Sequence, residues 1–261
     1  TSDPVRVYED FSTIDLISNG RAEIVAGRAS RVGLFDLLGY NVHDYEELFE
    51  EKFDLLRLIN EQEVVNWSGE FRAPLRNAKV IPRPLNGSLP IWRAVGGSPA
   101  SAVKAGFAGV PMVMAHLGGP ASVFKRTVDV YREAARKAGH NPDELPVATA
   151  GFFYAAETSQ QALQEFYPYV NESMMKSNGQ GFHRQLFMQG SDPHHIINAG
   201  SPQQIIEKIL YQHELFGHQR YIAQIDLGGM PFDQVKRNIE LIGTEILPAI
   251  KKYTKKSEGG K

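Results

Sequence analysis

The sequence predicts an α/β protein built on a parallel, barrel-like sheet. Three observations carry that expectation. Short runs rich in apolar and β-branched residues alternate with helical patterns along most of the chain. The linkers between them are short, as parallel βα units require. The length of 261 residues suits one α/β barrel domain of roughly 250 residues, here placed at 1–250.

The elements follow in order. Asp3 reads as a helix N-cap and Pro4 as the first helical residue, where a missing N–H costs nothing. Val7, Phe11 and Ile14 then fall on one face, and Ser18-Asn19-Gly20 stops the helix. A chain that opens on a helix cap without a methionine predicts that something once preceded it. Residues 22–27 are too short for a helix and apolar enough for a buried strand. Residues 44–59 form an amphipathic helix with Tyr45, Leu48, Phe49, Leu55, Leu56 and Ile59 as its stripe. Pro74, Pro82, Pro84 and Pro90 exclude a long helix in 62–90, where a β-excursion is expected around 64–71.

From residue 91 the pattern becomes regular. Strands are expected at 91–95, 112–115, 146–156 and 221–227, which with 22–27 makes five. Ser98-Pro99, Gly119-Pro120, Thr158, Ser201-Pro202 and Met230-Pro231 open the intervening helices, and the last ends near Pro248. Segment 176–200, rich in Gly, Gln, His and Asn, reads as a long mobile loop, and 251–261 as a solvated tail.

Composition narrows the function. With 28 basic and 30 acidic side chains the net charge is −2, which gives no electrostatic reason for a nucleic-acid or anionic-membrane partner. No apolar stretch approaches the roughly 18 residues of a membrane span, and no signal-peptide core opens the chain. The absence of cysteine excludes disulfides, thiolate nucleophiles and Cys-ligated metals, and fits a reducing cytoplasm.

Parallel α/β proteins bind ligands at the carboxyl ends of their strands. That rule selects Gly27-Arg28-Ala29-Ser30, the turn from Gly96 and Gly97 through Ser98 to Ser101, His116-Leu117-Gly118-Gly119, and Asp226-Leu227-Gly228-Gly229. In the second of these, two glycines let a ligand approach the backbone, Ser98 stands at an N-cap, and Ser101 lies one turn onward. Free N–H groups and the helix dipole there suit a phosphate, although the same residues also make a plain strand-to-helix turn. Arg28 follows a buried strand, where a cation needs an anionic partner: a ligand phosphate or a neighbouring carboxylate. His116 is either a proton donor at a strand end or a hydrogen-bonded wall residue. Asp192, His194 and His195 lack metal-site spacing, because adjacent histidines point apart, so they read as loop and no metal is expected.

Several stretches together resemble the luciferase-like flavin-dependent monooxygenase family. They are Asp3-Pro4-Val5-Arg6-Val7, the run from Ser18 to Arg28, Gly39-Tyr40, Pro82-Arg83-Pro84, Leu89-Pro90-Ile91-Trp92, the run from Gly96 to Ala102, and Gly228-Gly229-Met230-Pro231. The resemblance implies an eight-stranded (β/α) TIM barrel, with strands four to eight represented here and the first three lacking. The family's catalytic histidine falls in that lacking part, so the catalytic residue is unknown. Phosphate binding carries over residue by residue, onto Arg28, Ser98 and Ser101, with Gly27, Gly96 and Gly97 around them. Luciferase has a glutamate where this chain has Gly97. The resemblance further implies FMN, reduced by a separate flavin reductase, and O₂ as co-substrate for oxygenating a small organic molecule. Coenzyme F420 on the same fold, or a flavin-binding paralogue without activity, are the alternatives. It also implies a homodimer whose contact includes the first helix, where the helical pattern puts Val5, Tyr8 and Leu16 partly off the main apolar face; the alternative is that these positions pack only against neighbouring helices of the same chain.

Overall fold

Asp3 caps the first helix as predicted. Its carboxylate accepts from the Val5 N–H at 2.9 Å, and Pro4 begins α1 (Pro4–Ser18). The face that α1 buries is not the predicted one. Pro4, Tyr8, Ser12 and Asp15 are buried, whereas Ile14 is exposed and Val7 and Phe11 are only half-buried. The reason is polar. Asp15 accepts from the backbone N–H groups of Ala22 (3.1 Å) and Leu85 (2.9 Å), and the Arg83 guanidinium sits 5.1 Å from the centre of the Tyr8 ring. Tyr8 is therefore a core residue, not an outward position for a dimer contact.

The computed structural model describes residues 1–29, 33–96 and 98–255, arranged in two compact units, Thr1–Ala94 and Val95–Lys261. In the first unit, α1 is followed by β1 (Ile24–Ala26), α2 (Gly33–Leu37), α3 (Tyr45–Glu61), β2 (Val65–Trp67), β3 (Leu75–Ala78) and β4 (Ile91–Gly96), whose Val95 and Gly96 belong to the second unit. β1 and β4 pair in parallel, with Ile24 opposite Ile91 and Ala26 opposite Arg93. β2 and β3 form an antiparallel pair in the proline-rich stretch, which extends beyond the predicted excursion. The α3 stripe agrees at Leu48, Leu55, Leu56 and Ile59 and adds Phe53 and Lys52.

The second unit runs α4 (Pro99–Phe107), β5 (Met112–Ala115), α5 (Ala121–Lys137), β6 (Val147–Ala155), α6 (Ser159–Asn178), α7 (Arg184–Met188), β7 (Asn198–Gly200), α8 (Pro202–Phe216), β8 (Arg220–Gln224), α9 (Phe232–Leu241) and α10 (Leu247–Thr254). β5, β7 and β8 each pair with β6 in parallel. Helices cover the sheet through two apolar clusters. One gathers Phe152, Tyr154, Phe166 and Phe187, and the other Phe153, Ile205, Ile209 and Ile246. The backbones of α4 and α5 approach so closely that a Cβ on Gly106 would stand 2.4 Å from the Tyr131 carbonyl oxygen.

Three expectations need correction here. A sixth parallel strand, β7, joins the five predicted. It lies in segment 176–200, which is no structureless loop: it carries α7, a 3₁₀ turn at Gln189–Ser191 and β7. Gln204, Lys208 and Gln212, spaced i, i+4, i+8 on α8, pin that segment. They bond the Ser191 carbonyl (2.9 Å), the Gly190 carbonyl (2.6 Å) and the Asn198 side chain (3.2 Å). Finally, the last helix does not stop near Pro248. A π-helical turn at Ile242–Ile246 joins α9 to α10, and Pro248 falls in the first turn of α10, where its absent N–H is tolerated. The predicted tail is thus helical to Thr254, and 256–261 lie outside the described residues.

Candidate functional site

Apart from Ser30 and Gly97, each predicted residue has a defined place. In the second unit, Gly96 ends β4, and a Cβ built on it would meet nothing within 4 Å, so the backbone there is open to a ligand. Ser98 is the N-cap of α4 with extended backbone (φ −78°, ψ 117°), yet its hydroxyl makes no capping hydrogen bond. Ser101, one turn on, is 5% exposed, and its Oγ has no hydrogen-bond partner. A buried hydroxyl left unpaired costs about 1–3 kcal/mol, so its persistence at a helix start points to a ligand that accepts from it. The α4 N-terminus thus offers free N–H groups, an uncommitted cap hydroxyl and an orphaned buried one, all suited to an oxyanion. Gly97 lies outside the described residues.

In the first unit, Gly27 and Arg28 follow β1 and line a cavity of about 430 Å³ together with Phe11, Ile24, Phe49 and Lys52. A Cβ on Gly27 would stand 3.2 Å from that of Ala94, a tight approach. The Arg28 guanidinium forms an ion pair with Glu46 and lies 5.2 Å from the Tyr45 ring centre. The carboxylate partner considered for Arg28 is therefore present. Lys52, on the same cavity, donates to the Tyr40 hydroxyl (2.7 Å) and the Thr1 carbonyl (3.0 Å).

His116 is buried, without the hydrogen bond expected of a wall residue. It is 1% exposed, and neither ring nitrogen has a partner. Its ring packs edge-on to Phe124 at 5.6 Å, and burial pushes its pKa down to about 4. Burial thus favours its neutral form at pH 7. A second buried histidine, His218, is pushed down to about 3 by burial and by the charges of His213 and His116. Sequence reasoning did not single it out.

Asp192, His194 and His195 do meet, beside a cavity of about 350 Å³ that Pro120, Gln189 and Ser191 complete. His195 Nε2 faces the Gly119 N–H at 2.9 Å and Nδ1 faces the Ile197 N–H at 3.2 Å. A neutral imidazole accepts at only one of its nitrogens, so one of these two N–H groups is bonded, and burial places the His195 pKa at about 4. Among the described residues, no group of three or more His, Cys, Asp or Glu could hold a metal ion. Beneath this stretch, Lys208 is fully buried, with its pKa lowered to about 8 by desolvation. The signal for it in the sequence was the polar i, i+4, i+8 row of Gln204, Lys208 and Gln212 beside the Ile205, Ile206 and Ile209 stripe. In the fourth predicted turn, the Asp226 carboxylate accepts from the Gly228 N–H at 2.8 Å.

With this geometry in place, a family model described as luciferase-like monooxygenase matches residues 1–223. The solved structure of monooxygenase RslO1 from Streptomyces bottropensis superposes with a TM-score of 0.81 at 24% identity, over 95% of this chain and 74% of that one. An F420-dependent secondary alcohol dehydrogenase, solved with an F420–acetone adduct, gives 0.71 at 18% identity, over 95% and 75%. The oxygenating constituent of 3,6-diketocamphane monooxygenase from Pseudomonas putida, solved with FMN, gives 0.70 at 20%, over 95% and 76%. These likenesses establish an α/β fold of the barrel type that such enzymes share.

Proposed function

Because this chain belongs to the luciferase-like monooxygenase family, we propose that it binds a flavin through its phosphate and serves an FMN-dependent monooxygenase reaction on a small organic substrate. The observation that carries this reading is Ser101, whose buried hydroxyl has no partner in the protein at the start of α4. A phosphate oxygen accepting from Ser101 and Ser98, and from the first N–H groups of α4, would satisfy all of them with charge-assisted bonds. Gly96 leaves room for that approach. Arg28 and Gly27 are carried over from the family as flavin contacts, each to be judged by its own substitution.

Bound reduced flavin supplies the electrons that activate O₂ for oxygen transfer. The chain's own part is to hold the phosphate and keep the reacting region dry. The reading includes a separate reductase that delivers reduced flavin, a cytoplasmic setting and a homodimer. No helix among the described residues is long and apolar enough to cross a membrane. A phosphate cradle serves coenzyme F420 equally, and the F420-dependent neighbour makes that the second reading.

The test is spectroscopic and kinetic. Absorbance of cofactor retained on purification separates flavin from deazaflavin. Rapid mixing of the flavin-reduced protein with O₂ should then give oxidation kinetics distinct from those of free reduced flavin. Identical kinetics, or a protein that takes up no flavin, would overturn the reading.

A further inference from the structure

Three Asn–Gly pairs occur in the chain, at 19–20, 86–87 and 178–179. Such a pair can react with itself, because the glycine nitrogen, with no side chain beside it, reaches the preceding side-chain amide carbon. The fold holds the three differently. Asn19 is the left-handed C-cap of α1 (φ 59°, ψ 55°), and the Gly20 N–H closes that helix on the Asp15 carbonyl at 2.8 Å. Gly179 closes α6 likewise, with φ 73° and its N–H on the Met175 carbonyl at 3.0 Å. In both pairs the nitrogen that must attack is committed to a helix end, and turning it loses the cap.

Gly87 is held by less. Its N–H closes a lone turn on the Pro84 carbonyl at 3.0 Å, outside any helix or strand. Asn86, Gly87 and Ser88 are exposed, so water reaches the pair. Gly87 has φ +82°, and a Cβ built on it would meet nothing within 4 Å, which leaves its peptide room to rotate.

The surroundings of this turn give the reaction a consequence. Leu85 donates its N–H to the Asp15 carboxylate at 2.9 Å. The Arg83 guanidinium donates to the carbonyls of Gly87 (3.0 Å), Ile59 (2.6 Å) and Asn60 (2.8 Å). The Leu89 backbone and the Asn60 side chain exchange two hydrogen bonds, at 2.8 and 3.0 Å. Residues 83–89 therefore tie α1 to the end of α3, and Asn86 stands in the middle of the tie.

We infer that Asn86–Gly87 is a self-modification site, where Asn86 deamidates to aspartate and isoaspartate, and that the isoaspartyl form loosens the tie between α1 and α3. The Gly87 nitrogen bonds to the Asn86 Cγ, the Cγ–Nδ2 bond breaks, and ammonia leaves with the Gly87 amide proton. Water then opens the cyclic imide at either of its carbonyls. One opening restores the ordinary backbone with an aspartate. The other routes the main chain through Cβ and Cγ, one carbon longer, between the Leu85 N–H held by Asp15 and the Gly87 carbonyl held by Arg83.

Ageing the purified full chain in mildly alkaline buffer at physiological temperature, followed by peptide mapping with mass spectrometry, tests this. Amide-to-acid conversion should accumulate at Asn86 several-fold faster than at Asn19 or Asn178, and an isoaspartyl methyltransferase should label the peptide that contains 86–87. The aged wild type should unfold at a lower temperature than the fresh protein, in step with its isoaspartate content. Asn86→Gln keeps the amide but needs a larger ring to react, so it should hold its fresh midpoint over the same period. Faster conversion at Asn19 or Asn178, an unreacted Asn86, or isoaspartate at 86 with an unchanged midpoint would overturn the inference.

Discussion

Arg28 at the carboxyl end of β1 is ion-paired with Glu46 in the first turn of α3. The cation that the sequence marks for a phosphate thus already has a carboxylate partner, half of which is exposed to solvent. On the flavin reading, a phosphate that reaches Arg28 shares or displaces that carboxylate.

That relationship makes a directional prediction. Glu46→Gln should tighten FMN several-fold at low salt while leaving riboflavin unchanged, because only the phosphate competes with the removed charge. Arg28→Ala should weaken FMN about tenfold or more and spare riboflavin. Fluorescence titration of both flavins against both variants reads the ratio. Equal changes for the two flavins would make the Arg28–Glu46 pair a purely structural one.

A second ion pair in the same unit is structural. The Arg93 guanidinium is 2% exposed, donates to both Glu50 oxygens at 2.6 and 2.8 Å, and lies 4.9 and 5.4 Å from the Phe49 and Phe53 ring centres. Glu50→Gln leaves a buried cation short of its counter-charge and should cost about 3 kcal/mol in urea unfolding. The double change Arg93→Met with Glu50→Leu should recover most of that loss, since an apolar pair of similar volume needs no desolvation. A double variant as unstable as the single one would assign the cost to packing.

The buried histidines set the acid limit of stability. Burial holds His116 at about 4 and His218 at about 3, against an ordinary 6.5. As pH falls, the unfolded chain takes up these protons first. Stability is therefore fully present above about pH 6.5 and is lost progressively as pH falls, down to about pH 4 for His116 and about pH 3 for His218, where each protonates in the fold. The His116 share is about 3 kcal/mol. Urea midpoints measured across that window should fall less steeply in His116→Phe than in the wild type. Parallel curves would show that His116 is not buried neutral.

Much of this architecture was legible in the chain. Ser98-Pro99, Ser201-Pro202 and Thr158 open helices where their chemistry says they should, and residues 112–115 form the predicted strand. What was hidden depended on contacts distant in sequence. β7 is three residues long, and what defines it is its pairing with β6, not any pattern of its own. The buried face of α1 was misread because hydrophobic periodicity cannot register that Ser12 and Asp15 turn inward, where Asp15 finds two backbone donors. Residue type and position nominate Ser98, Ser101 and Arg28. That Ser101 is left without a partner, and that Arg28 has found one in Glu46, only the three-dimensional arrangement reveals.

The central claim is that the start of α4 holds a flavin phosphate, and Ser101→Ala with paired titrations of FMN and riboflavin tests it most directly. Because the Ser101 hydroxyl bonds nothing in the protein, its removal should leave the thermal midpoint unchanged or slightly raised. The wild type should bind FMN much more tightly than riboflavin, and Ser101→Ala should weaken FMN about tenfold with riboflavin unaffected. A wild type that binds the two flavins equally, or a variant that loses both in step, would contradict the account.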